Sequence, residues 1–121
     1  MISLEVHRIG VCRQLKQGDC LLELLPQLVA GLNGISAGDR LLVLYWMHEL
    51  NHPDRRALQV HPRGDTSRPR CGVFSLRSPM RPNPIGVTEV QVLEVREHAL
   101  LVSGLDAKDG SPIIDIKAAC R

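Results

Sequence analysis

Aromatic residues are nearly missing from this chain: one tryptophan, one tyrosine and one phenylalanine in 121 residues. Three rings cannot line the extended stacking groove on which single-stranded nucleic acids are often held. Long apolar runs are also missing. None reaches the eighteen or so residues that cross a bilayer, so a membrane helix is excluded. The opening MISLEVHRIG has neither the basic start nor the apolar core of a secretory signal, and the expectation is a cytoplasmic protein with reduced thiols. The four cysteines, Cys12, Cys20, Cys71 and Cys120, lack the paired spacing of a zinc ribbon and read as plain thiols. Helical periodicity is scarce as well.

What is present is a string of short β-like runs. SLEVHRIGV (3–11), RLLVLYWM (40–47), RALQVHP (56–62), CGVFSLR (71–77), VTEVQVLEV (87–95), ALLVSGL (99–105) and IIDIKA (113–118) each read as strand, and REH between two of them reads as a hairpin turn. CLLELLPQLVAGLNGI (20–35) suggests a strand and then a short helix opened by Pro26 and closed by Gly31 or Gly34. With 44% apolar and 23% charged residues the composition is globular, and no linker or repeat interrupts it. The expected fold is all-β, a single small barrel domain over residues 1–121.

Charge is unevenly placed. Residues 54–81 hold seven arginines against Asp54 and Asp65, a local excess of five, while the remaining chain sums to −3. Twelve of the fifteen basic residues are arginine, whose planar fork suits carboxylates and phosphates. Either a solvated loop or a face for an anionic ligand or nucleic acid fits that pattern.

Two stretches carry candidate chemistry. HELNH (48–52) matches H-E-x-x-H, in which a helix places two histidines one turn apart on a metal. Pro53 follows at once and disfavours helix in the residue before it, so zinc is the weaker alternative. RSPMRPNPIG (77–86) excludes helix and has the composition of a stiff ribbon with free carbonyls. Within it Arg77 and Arg81 offer forks for an anion, Asn83 can donate and accept, and Gly86 permits close approach of a ligand or backbone. Beyond it, Asp106 and Asp109 frame a tight turn, and Asp115 shares a strand face with Lys117.

GVFSLRSPMRPNPIG and GLDAKDGSPIIDIK together resemble the TsaA-like family, also known as the TrmO or YaeB family, and RIGV, GLNGI and LVLYWMHE match it more loosely. The resemblance implies an open β-barrel, S-adenosylmethionine as methyl donor, tRNA as partner and a homodimer with its pocket near the interface. The reaction implied is N6-methylation of threonylcarbamoyladenosine. Carried onto this chain, the cofactor residues would be Phe74, Arg77, Ser78, Arg81, Asn83, Pro84, Ile85 and Gly86, with Asp106 and Asp109, and the proton acceptor Asp109 or Asp115. Ser75-Leu76, Met80, Ser111 and Ala118-Ala119 depart from the family pattern, and tRNA-modifying bacterial members continue into a further C-terminal domain. The alternative is a cofactor-binding barrel module acting on another RNA or a small molecule.

Overall fold

A computed structural model of the chain describes residues 2–47 and 58–120. Its strands are β1 (Gly10–Gln14), β2 (Asp19–Leu24), β3 (Arg40–Trp46), β4 (Gln59–Val60), β5 (Cys71–Gly72), β6 (Ile85–Val95), β7 (Ala99–Ser103) and β8 (Pro112–Ala118). Six of them form a ring in the order β1-β2-β7-β6-β3-β8, antiparallel at every junction, while β4 and β5 pair apart as a small ribbon. The ring, expected open, is closed by its shortest junction. β1 meets β8 through Gly10↔Ile113 and Val11↔Pro112 alone, whereas β3 and β6 pair over seven residues.

Alternation builds the interior. Cys20, Leu22 and Leu24 of β2 and Leu41, Val43 and Tyr45 of β3 point inward, with their neighbours on the outer face. They meet Val90 and Val92 of β6, Leu100 and Val102 of β7, and Ile113 of β8 in one aliphatic cluster. Gly10 has a specific reason: a Cβ there would collide with the Glu23 carbonyl, so a larger residue would push β1 off β2. A bulge between Val92 and Glu94 leaves Leu93 outside the ladder. The expected short helix is a 3-10 segment, Pro26–Leu32, which buries Leu32 under one end of the barrel.

Cys12 and Cys20 lie buried side by side. The bond from the Cys20 thiol to the Cys12 sulfur, together with burial, pushes the Cys20 pKa far up and keeps it protonated, and the same bond lowers that of Cys12. No cysteine is in a disulfide; Cys71 is half-buried and Cys120 exposed. No helix among the described residues is long and apolar enough to cross a membrane.

Three strand expectations need correction: RALQVHP (56–62) is, among its described residues, strand only at Gln59–Val60, and a 3-10 turn begins at Pro62. SLEVHRIGV is not a strand over 3–11, because β1 begins only at Gly10 and Ile2 and Leu4 stand 87% and 86% exposed. Their alternation is right for a strand, but β2 gives way to Pro26 two residues past the partner of Gly10, and the pairing ends at Ile9, whose amide donates to the Ile113 carbonyl at 2.8 Å and whose carbonyl accepts from the Leu25 amide at 2.9 Å. CGVFSLR is strand only at Cys71–Gly72, then bends into a 3-10 turn, Val73–Ser75.

Candidate active site

That turn is where the proline segment leaves the ribbon. The Val73 amide donates to the Leu58 carbonyl at 2.9 Å and the Ser75 hydroxyl to the Gly72 carbonyl at 2.7 Å. Val73 is thereby buried and Phe74 thrown outward, its side chain largely in solvent. Arg81 reaches back across the segment. Its guanidinium donates to the Val73 carbonyl and, at 2.9 Å, to the Leu76 carbonyl, while its buried Nε has no partner. Downstream, the Asn83 carbonyl accepts from the Ile85 amide at 2.7 Å, and the Pro84 carbonyl from the Met47 amide at 2.8 Å. The carbonyls expected to be free at Asn83 and Pro84 are therefore engaged, the first within the ribbon and the second in fastening it to Met47 at the end of β3.

Between this segment and residues 59–70 lies a cleft of about 1440 Å³. Phe74, Arg77, Ser78 and Met80 line it from one segment, and His61, Arg63, Arg68 and Arg70 from the other. Among the described residues no carboxylate lines it. Asp65 is nearby in sequence, but its carboxylate accepts from the Ser67 hydroxyl at 2.6 Å and the Ser67 amide at 3.0 Å. Those bonds hold its pKa below the ordinary 3.8 and direct its charge into its own turn. Arg77 is exposed, with no hydrogen bond or ion pair among the described residues.

A second group forms around residues 104–111. Tyr45 and Gly86 face each other across β3 and β6, and a Cβ on Gly86 would lie 2.5 Å from two ring carbons of Tyr45. The ring lies over the glycine, and its hydroxyl donates to the Asp106 carbonyl at 2.6 Å. Gln14 grips the same loop: its side-chain amide donates to the carbonyls of Leu105 (3.2 Å) and Ala107 (2.6 Å), and its backbone amide to Asp109 Oδ1 (2.8 Å). Three consecutive carbonyls are thus held from β1 and β3, and the carboxylate of Asp106 is left facing solvent.

The structure therefore sorts the candidates. Phe74, Arg77 and Ser78 line the cleft. Arg81 braces the turn that carries them, and Asn83, Pro84, Ile85 and Gly86 dock the ribbon on β3. Asp106 and Asp109 sit on the loop that Tyr45 and Gln14 hold, and neither lines the cleft. Asp115 is not brought to this cleft: it pairs with Lys117 at 3.0 Å and lines a separate apolar groove with Ile9, Leu32 and Leu41. HELNH lies outside the described residues, among which no cluster of three metal-ligating side chains occurs. Gln14 and Tyr45 carried no signal in the sequence, since neither belongs to a recognisable spacing.

A family model described as the tRNA-methyltransferase O N-terminal domain matches residues 8–120. The chain belongs to that family. A relative named "Probable S-adenosyl-L-methionine-binding protein" in Methanocaldococcus jannaschii is 41% identical over 110 residues, covering 90% of this chain and 86% of the relative. An "S-adenosyl-L-methionine-binding protein" of Archaeoglobus fulgidus is 49% identical over 87 residues, 72% of this chain and 59% of the relative. The crystal structure of TrmO from Pseudomonas aeruginosa superimposes with a TM-score of 0.76 at 27% identity, covering 98% of this chain and 57% of that one. As a tRNA-methyltransferase O N-terminal domain, the chain thus spans a little over half the length of that solved relative.

Proposed function

We propose that this chain is an S-adenosylmethionine-dependent tRNA methyltransferase whose acceptor is N6 of threonylcarbamoyladenosine. One observation carries the reading: an exposed Arg77, unpartnered among the described residues, beside the exposed ring of Phe74, on a turn locked by Arg81, in a cleft that no described carboxylate lines. The residues present fit the cofactor. Arg77 offers a bidentate fork for an amino-acid carboxylate, Phe74 a flat face for a purine, and the orphaned Nε of Arg81 one further buried donor. Bound there, S-adenosylmethionine supplies an electrophilic methyl group.

The chain's own part is alignment, because an in-line displacement gains most from holding both reactants in reach. Asp106 keeps its carboxylate free for a cation at the barrel end where Gly86 and Tyr45 meet. Asp109 holds one oxygen on the Gln14 amide and is exposed, so it is the better acceptor for the proton leaving N6. Asp115, paired to Lys117 in the other groove, is set aside for that role.

Calorimetric titration of S-adenosylmethionine tests this directly. The native protein binds, and Arg77→Ala weakens binding at least about tenfold, as loss of a charge-assisted fork predicts. Transfer of a labelled methyl group to tRNA carrying the threonylcarbamoyl group follows only in the native protein. Absence of heat at millimolar cofactor sinks the reading; binding without transfer leaves the cofactor-binding module, the property to which the archaeal relatives' names are confined. Light scattering reads the homodimer that belongs to the same proposal.

A further inference from the structure

The 61–70 side of the cleft is more than a connection between β4 and β5. It is ordered by its own bonds: Gly64 amide to His61 carbonyl, Asp65 amide to Pro62 carbonyl, Arg68 amide to Asp65 carbonyl, all between 3.0 and 3.1 Å. His61 closes it, with Nδ1–H donating to the Arg68 carbonyl at 2.8 Å, which leaves Nε2 open. Arg63 is held at φ 54°, a left-handed conformation that a side chain other than glycine adopts at a cost. Such strain persists only where the surroundings impose it, and it collects at ligand-binding segments. The product is a pre-ordered loop from which Arg63, Arg68 and Arg70 project exposed, without an ion pair among the described residues. Its one carboxylate, Asp65, is bonded to Ser67.

The cleft is also too large for the cofactor alone. Small-molecule sites usually run from about 300 to 1,000 Å³, against about 1440 Å³ here. Resting on the methyltransferase reading, we propose that Arg63, Arg68 and Arg70 dock the phosphate backbone of the RNA acceptor, alongside the cofactor residues contributed by Phe74, Arg77 and Ser78. Phosphate is favoured over a protein partner because three forked guanidinium groups stand exposed on one ordered loop whose carboxylate is bonded to Ser67, the pattern of phosphate recognition.

The test is binding of an in vitro-transcribed tRNA, followed by anisotropy across a salt series, for the native protein and an Arg63→Ala, Arg68→Ala, Arg70→Ala variant. Three lost phosphate contacts lower affinity tenfold or more and flatten the log–log salt slope by about 2, at ~0.7 per contact for single-stranded segments. S-adenosylmethionine affinity and the urea midpoint stay unchanged, which separates docking from folding and from the cofactor site. The corresponding triple lysine variant, which keeps the charges, retains most of the salt slope. The proposal is overturned if the alanine variant binds tRNA with native affinity and slope, if the native protein binds no tRNA at low salt, or if poly-glutamate binds as tightly as tRNA. The methyltransferase reading is judged separately, by the cofactor titration on the same samples.

Discussion

At the level of single residues, the clearance between Gly86 and the Tyr45 ring governs how the acidic loop is held. Gly86→Ala places a methyl group 2.5 Å from that ring, so either the ring or β6 must move. The expected loss is about 1–3 kcal/mol, the usual range for overpacking, read from urea unfolding. Tyr45→Phe keeps the ring and removes the bond to the Asp106 carbonyl together with the 3.3 Å contact to the Thr88 hydroxyl. It should cost about 1 kcal/mol and weaken cofactor binding by releasing the loop. The sequence marks Gly86 as a point of close approach, and that is what it is. The neighbour is a ring on β3 forty-one positions earlier, which becomes visible only once the β3–β6 register is known.

Among the elements, those whose pattern is sufficient in itself were legible. RLLVLYWM is strand because it is buried on one face and covered on the other, and VTEVQVLEV with ALLVSGL forms the expected hairpin around residues 96–98. SLEVHRIGV and CGVFSLR have the same local pattern and were misread, because a strand also needs a neighbour. The first loses β2 at Pro26 while β8 alone runs on, and the second is drawn into a turn by the carbonyl bonds of Arg81. That brace makes Arg81 a positioning residue where the sequence suggests a ligand. Arg81→Ala removes the Nη2 that donates to both the Val73 and the Leu76 carbonyl. It should weaken S-adenosylmethionine binding by about tenfold, ~1.4 kcal/mol, with the urea midpoint moved little, because the turn lies outside the barrel ring. Equal losses in binding and stability would show that Arg81 serves the fold rather than the turn.

For the whole molecule, the sequence shows an arginine-rich middle, and the structure gathers four of those arginines around one cleft. What composition could not convey is that Asp65, the acid inside the 61–70 loop, is engaged by Ser67. The aliphatic interior yields a simple test of the barrel: Cys120 reacts with a thiol reagent at once, Cys71 more slowly, and Cys12 and Cys20 only on unfolding. Mass spectrometry of the labelled protein counts them, and fast labelling of either buried thiol would contradict the closed ring. Closure has a kinetic consequence. The β1–β8 junction has two ladder pairs, but the Cys12 amide also donates to the Ser111 carbonyl at 2.9 Å and Gly110 to Cys12 at 2.7 Å, while Gln14 holds residues 105–109. The segment bearing Asp106 and Asp109 is therefore the clasp of the ring. A lid swings on microseconds with the body intact, whereas a clasp releases only when the barrel opens, a rare sub-global event. The loop bearing Asp106 and Asp109 therefore moves no faster than the ring opens, a rate that hydrogen exchange at the Cys12 and Gly110 amides reads.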